Sequence, residues 1–497
     1  MKTTSEDLFH LVHSLSKSEK RSFKLSSGTD KKEKLYVSLF DLIEGQKKYD
    51  EETIIKILQL KKSVYAVYKN HLYHLLLKRM SVHFSGKEAE LRSMLTQADL
   101  LNSKGLYALY EKMLVKAKKF ATQFDLDHQL LEIIGMEHRN AWRKRDLQKA
   151  SSVIEEDKQA LLRFNNQRSY THLSNEIIIG LAKMDNRQAP EVKKIPALMK
   201  SPLIQNEKNA LTFRSKYSLY HTLSLYHSVH ENPQKQYEFA KKAADLYENN
   251  PEKIKHDTFT YLLSIHLMLT GCHTLKRFEE AKKYTDKLRM ASSLLKNEKE
   301  KNWAFFTFHD TNLNYFIHTG QFNEGLPAAE ELTKELAQYA HQLEDSQNTG
   351  LAFHMARIYF GAGNYSRSLH WLNRILNEKY ALHIRPRLES NVKIFYLIVH
   401  FEKGNYKLLP YRAKSIYHEL QAKGKLHKFE IALLQFFQKK YRDAETLEKE
   451  FVKLKREIEK VQSEEKMPLE EFDYLSWIEG KIQGRPFAEV VKEKVKR

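Results

Sequence analysis

The stretch ARIYFGAGNYSRS, residues 356–368, reads as the end of one helix and the start of the next. Gly363 stands where the chain must leave the helix, and glycine adopts the left-handed backbone of such an exit without steric cost. Tyr365 then opens the second helix, with Ser368 one turn on. Related turns end at Tyr107 (after Lys104-Gly105-Leu106), Phe278 (after Lys276-Arg277), Phe322 (after Gly320-Gln321), Tyr406 (after Gly404-Asn405) and Tyr441 (after Lys439-Lys440), with Tyr237 in a weaker context. From Tyr237 the successive aromatic anchors are 41, 44, 43, 41 and 35 residues apart. Tyr107 lies 130 residues before Tyr237, which the spacing reads as three more units of about 43 residues. A repeat of this length is a helical hairpin, two helices joined by a tight turn.

The rest of the 497 residues agrees. Val64, Val67, Tyr68, Leu72, Leu75 and Leu76 recur at three- and four-residue steps, as do Leu91, Met94, Leu95, Ala98 and Leu101, and Leu351, Met355, Ile358 and Tyr359. That is the period of one helix face. Glycine (16) and proline (10) are too sparse for the many turns of a β-rich fold, and no alternating run flanks an Asn-Gly or Asp-Gly turn. The expectation is an all-α fold, a right-handed α-solenoid of hairpins.

The hairpins resemble the tetratricopeptide repeat (TPR) family. Ala356, Tyr359, Gly363, Tyr365 and Ser368 match its small residue, late tyrosine, turn and following small residue; Phe278 with Ala281 and Tyr237 with Ala240 match the second half. Gly325 and Leu409 stand where the family has alanine, and the period exceeds the family's 34 residues. Ser14 to Arg21, followed by Phe23-Lys24, is similar to the start of a group of uncharacterised bacterial TPR-like proteins, a likeness that carries no function. The expected organisation is an N-terminal helical cap over 1–85, a TPR-like array over 86–455 and a C-terminal helical cap over 456–497. Caps are needed because the end units of a solenoid otherwise expose an apolar face. The segment from Gln188 to Pro202 holds Pro190, Pro196 and Pro202 and reads as an irregular connection within the array. The closing cap combines a Lys/Glu-rich helix (Phe451 to Val461), a break at Met467-Pro468 and an amphipathic piece around Phe472, Leu475, Trp477 and Ile478.

The formal charge of +20 is concentrated towards both ends: +9 for residues 1–150, +3 for 151–250, −2 for 251–350 and +10 for 351–497. A basic chain attracts polyanions, although lysine also simply solvates long helices. The single cysteine, Cys272, leaves no internal disulfide and no cysteine-based zinc site. The first residues lack the apolar core of a signal peptide, and no run reaches the roughly 18 apolar residues of a membrane span. The expected location is the cytoplasm.

Enzymatic motifs are missing. Gly361-Ala362-Gly363 follows a helix and has Ser366 where a dinucleotide loop needs its third glycine. The pairs His10/His13, His71/His74 and His227/His230 lack neighbouring carboxylates to complete a metal site, and no P-loop or nucleophile elbow occurs. A non-enzymatic protein without metal or cofactor is expected.

Binding is then the expected role, with three candidate surfaces. The TPR resemblance implies that the first helix of each hairpin lines a concave face. Carried over, this gives Leu263, His266, Thr270 and His273, then Thr307, Asp310, Asn314 and Ile317, then Gly350, Phe353, Arg357 and Phe360. Polar and aromatic side chains of this kind suit an extended peptide. The second surface is basic: Lys241-Lys242 and Lys282-Lys283 share one offset after Tyr237 and Phe278, and Arg139, Arg143, Lys144 and Arg145 surround Trp142. Cations around a stacking ring are common in nucleic-acid sites. The third is a possible helix-turn-helix over 51–84 carrying Lys61, Lys62, Lys69, Lys78 and Arg79; its second helix opens with Ser63-Val64-Tyr65-Ala66-Val67, which reads as a packed face rather than a base-reading one. The leading expectation is a scaffold or adaptor that binds a protein or peptide on the concave face. The alternative is a basic repeat protein that binds RNA or DNA, with a solenoid that senses a ligand.

Overall fold

A computed structural model describes residues 6–25, 31–83, 86–184, 186, 188–377, 386–422, 426–439, 444–464 and 472–496. Every regular element among them is helical. The expected anchor Tyr441, the helix end at Phe84 and the Met467-Pro468 break lie outside these residues.

One turn is used again and again. Gln59, Gly105, Asp125, Arg145, Glu231, Lys276, Gly320, Gly363, Gly404 and Gly484 all have left-handed backbone, with φ between 52° and 76°. After each of them the next amide donates to the carbonyl five residues earlier, as Arg277 does to Cys272 (2.8 Å) and Asn364 to Tyr359 (2.8 Å). That bond satisfies a carbonyl the helix end would leave without a partner. Half of these residues are not glycine, and each of those accepts an unfavourable backbone geometry on the order of 1 kcal/mol in exchange. Lys276→Gly should therefore raise stability by up to about 1 kcal/mol, read as a higher urea midpoint. A lower midpoint would mean that the Lys276 side chain matters more than its backbone.

The chain divides into two compact units, Met1–Ala160 and Leu161–Arg497. In the first, Leu8, Val12, Phe40, Ile54, Tyr65 and Leu72 build one core, and Leu91, Leu95, Tyr110, Leu114 and Ile133 build a second. The second core is made by three helices of equal length, Lys87–Ser103, Tyr107–Gln123 and Asp127–Arg143. They are joined by left-handed turns at Gly105 and Asp125, and each packs on its successor.

The second unit is a series of helix pairs: Phe213–Val229 with Pro233–Glu248, Thr258–Thr274 with Phe278–Ser292, Glu298–His318 with Phe322–Tyr339, Asp345–Gly361 with Tyr365–Asn377, and Pro386–Glu402 with Leu409–Ala422. First helices also pack on the next first helix, Thr258–Thr274 on Glu298–His318 and that helix on Asp345–Gly361. Close approach within a pair is visible at Gly325, where an added Cβ would sit 2.9 Å from Phe316 Cβ. At the equivalent position Ser368 is fully buried and donates to the Ala356 carbonyl (2.8 Å).

Several expectations are corrected. Tyr237 is not a helix opener: Glu231 is the left-handed residue, Asn232 caps the helix and Pro233 begins it. The local cause is Asn-Pro, a capping side chain followed by a proline whose missing N–H costs nothing at the first helical position. Tyr406 lies in the turn itself, 55% exposed, and the helix begins at Leu409. The interval from Tyr107 to Tyr237 is not three equal hairpins, since it contains one 36-residue helix, Leu147–Ala182, and then the short helices Pro190–Leu198 and Pro202–Gln205. In the helix Lys62–His83 the buried apolar residues are Tyr65, Leu72 and Leu76, with Val64 and Val67 exposed, so the packed line is rotated from the one the spacing suggested. Lys69 is buried there on Glu51 (3.1 Å), which removes it from any DNA-facing surface.

Candidate functional site

The turn defines a common register for the first helices. Counting back, a helical line passes through His266, Thr270 and His273, which are 10, 6 and 3 residues before Lys276, and through Asp310, Asn314 and His318, which are 10, 6 and 2 before Gly320; only the count of six recurs in every first helix, at Arg357 before Gly363. In Asp345–Gly361 it passes through Gly350, His354, Arg357 and Gly361. The expected line was one residue out of phase in places. Thr307 is 2% exposed and donates to its own helix at Trp303, and Phe353 is 2% exposed among Phe395 and the rest of the core. Neither can meet a partner. Ile317 and Phe360 are likewise buried. These helices are packed on more than one side, so apolar spacing alone does not say which residue faces outward.

Four polar side chains from two helices form one network. The His354 imidazole bonds Asp310 Oδ1 through Nε2 (2.7 Å), and Arg357 bonds both His354 Nδ1 and Asn314 Oδ1, the latter at 3.1 Å. Arginine can only donate, so His354 Nδ1 accepts and Nε2 carries the proton that it donates to Asp310. The tautomer is fixed by its neighbours. Protonating Nδ1 would place an N–H against the guanidinium, and burial together with the Arg357 charge holds the His354 pKa below the ordinary value. Burial is the largest single influence on Asp310 and opposes its ionisation, but the hydrogen bond from His354 together with the charge interactions of His354, His266 and His273 keeps this carboxyl below its ordinary value.

Arg357 is 3% exposed, with its guanidinium over the Phe353 ring (5.2 Å), whereas 31% of the Asp310 side chain remains accessible. The charge offered to an incoming group is thus the carboxylate. The expectation that Arg357 contacts a ligand is corrected: it positions His354. His266 and His273 feel the Asp310 charge, but burial, the larger influence, holds both below the ordinary imidazole value; about two turns further along the Asp310 helix, burial and the Arg357 charge push His318 down to about 3. Trp303 lies edge-on to His266 at 5.7 Å. His354 and His318 escaped the sequence reading; the residues 10, 6 and 2 positions before Gly320 would have revealed His318.

The basic candidates scatter. With Pro233 as the equivalent of Phe278, Lys241 and Lys242 are eight and nine residues into their helix, while Lys282 and Lys283 are four and five into theirs. They do not share an offset. Lys242 pairs with Glu207 (2.6 Å), Lys241 with Asp245 (3.8 Å) and Lys282 with Asp286 (3.3 Å). At the end of Asp127–Arg143, Trp142 is 55% exposed and donates to His138 (2.9 Å), Arg143 lies over the Tyr107 ring (4.2 Å), and Lys144 pairs with Glu111. Arg139 is exposed, and Arg145 is the left-handed residue of the next turn. Gly361 and Gly363 have structural reasons: a Cβ on Gly361 would lie 2.1 Å from Phe322, and Gly363 closes its helix at φ 76°.

The C-terminal segment covers part of the same register. In Pro386–Glu402 the equivalent line is Asn391, Phe395, Ile398 and Glu402. Tyr474 donates to Asn391 (2.8 Å), Phe472 packs on Phe395 (4.6 Å between centroids), and the Trp477 indole N–H donates to Glu402 (2.7 Å). Phe487 continues onto Phe360 and Phe322, both at 5.5 Å. The tail therefore packs on Pro386–Glu402 and, through Phe487, reaches the buried Phe360 and the second-helix residue Phe322.

Among the described residues no group of three His, Cys, Asp or Glu side chains is arranged to hold a metal ion, and no helix is long and apolar enough to cross a membrane. Cys272 is a buried free thiol whose pKa burial pushes up to about 12. No family model matches the chain, and no curated protein is similar to it.

Proposed function

We propose that the chain is a non-enzymatic scaffold or adaptor of the cytoplasm, in which TPR-like hairpins stack as an α-solenoid. Its concave face, built from the first-helix line, holds a peptide or a segment of a protein partner. The observation that supports this reading is the chain's own tail: Tyr474, Phe472 and Trp477 pack on Asn391, Phe395 and Glu402, so a polypeptide segment already covers one first helix of the series. Upstream, His266, Thr270, Asp310 and Asn314 continue the line with polar groups that are partly exposed. A peptide needs both kinds of contact, aromatic packing and fixed hydrogen bonds.

A second reading, RNA or DNA binding, is favoured by the exposed Trp142 beside Arg139 and Arg143. One experiment separates the two. The tagged protein is purified at physiological salt with and without nuclease, as wild type and as Thr270→Arg, which places a long cation on the exposed part of the line. We expect a stoichiometric protein that survives nuclease and is reduced at least about tenfold by Thr270→Arg, the scale of a blocked interface core. Retention by Thr270→Arg would refute the concave-face assignment. Loss of all partners with nuclease would transfer the function to the basic surface.

A further inference from the structure

We infer that the ligand of this line presents a cation, the guanidinium or ammonium of a peptide, to Asp310. The inference rests on the concave-face reading and adds the chemistry of the group recognised. Of the two opposite charges in the network, only one is offered outward. Arg357 is 3% exposed and committed to Asn314 and His354. Asp310 keeps 31% of its side chain accessible, with Oδ1 held by His354.

The cation already in the network, Arg357, is buried and faces His354 and Asn314 rather than solvent. His266 Nδ1 and both ring nitrogens of His273 are buried and have no hydrogen-bond partner. Leaving such a buried group unpaired is unfavourable. Both rings lie near enough to feel the Asp310 charge, and a neutral imidazole offers one acceptor nitrogen. A guanidinium brings five N–H donors in a flat fork, and an ammonium brings three. Either would bond the accessible part of the Asp310 carboxylate. A carboxylate or phosphate would instead face Asp310 across a partly desolvated site, where like charges repel strongly.

The test uses the full chain and a library of random eight-residue peptides, acetylated and amidated in one arm and with a free amino terminus in the other. Retained peptides should share Arg or Lys at one position in the blocked arm, or owe their retention to the free terminus in the unblocked one. Replacing that residue by citrulline or norleucine should weaken binding at least tenfold to wild type, a comparison that needs no protein variant. In Asp310→Asn the same replacement should change affinity less than twofold. Retained peptides with a shared Asp or Glu, or a cation preference that survives Asp310→Asn, would overturn the inference while leaving the concave face intact. Peptide binding indifferent to Thr270→Arg, or no peptide binding at all, would remove the concave-face reading and this inference with it.

Discussion

Trp477→Ala is expected to destabilise the unit Leu161–Arg497 by about 3–5 kcal/mol, the range for emptying a large buried aromatic site. Trp477 is 1% exposed, and its ring meets Phe401, Phe437 and Phe451 at 5.4–6.1 Å between centroids. The indole N–H also donates to Glu402, whose side chain is only 7% exposed and is otherwise held by Lys481 at 2.6 Å. Trp477→Phe keeps most of the packing and removes that donor, so its cost should fall to about 1–3 kcal/mol. Urea unfolding followed by circular dichroism reads both. A loss below about 1 kcal/mol for the alanine variant would mean that the tail is laid loosely on Pro386–Glu402, and the best support for a docking line would go with it.

Acid should unfold the same unit early. His266, His273, His318 and His354 all have pKa values below the ordinary imidazole value, with burial the largest cause in each case. A histidine whose folded pKa is depressed binds its proton in the unfolded chain first. Its neutral form contributes full stability above about pH 6.5, and that contribution declines as pH falls from there towards the folded pKa. The slope is up to about 1.4 kcal/mol per pH unit for each such residue. For His318, pushed down to about 3, the window extends from about 6.5 to about 3. Asp310 interacts with His266, His273 and His354 and offsets part of the repulsion once they charge. Denaturation midpoints at pH 7.5, 6.5, 5.5 and 4.5 should fall by several kcal/mol in all, with the steepest change below 6.5. Substituting His318→Gln should flatten the profile. A midpoint that stays level down to pH 5 would show that the rings protonate in place, and the neutral network described for His354 would be wrong.

Legibility in the sequence followed the range of the forces involved. The turns at Gly320 and Gly363 stand out because glycine adopts a left-handed backbone without steric cost. Those at Asp125 and Arg145 do not, because there the amide-to-carbonyl bond and the packing of the flanking helices hold a residue type that gives no signal. In the same way His354 hid behind Phe353. The helix Asp345–Gly361 is buried over nearly its whole length, so its apolar residues surround the axis and the spacing has no single face to report.

What the sequence determined by itself was local: helices, and tight exit turns marked by Gly320, Gly363 and Gly404 at intervals of 43 and 41 residues. Helical hydrogen bonds and exit turns are made between residues at most five apart, and a linear pattern records them. Which of two adjacent residues faces outward, whether Asp310 or Arg357 presents its charge, and where the tail comes to rest were decided only by tertiary structure. The bond from His354 to Asp310 spans 44 positions and that from Trp477 to Glu402 spans 75. At such separations burial depends on which helices stack beside one another, and no local period encodes that choice.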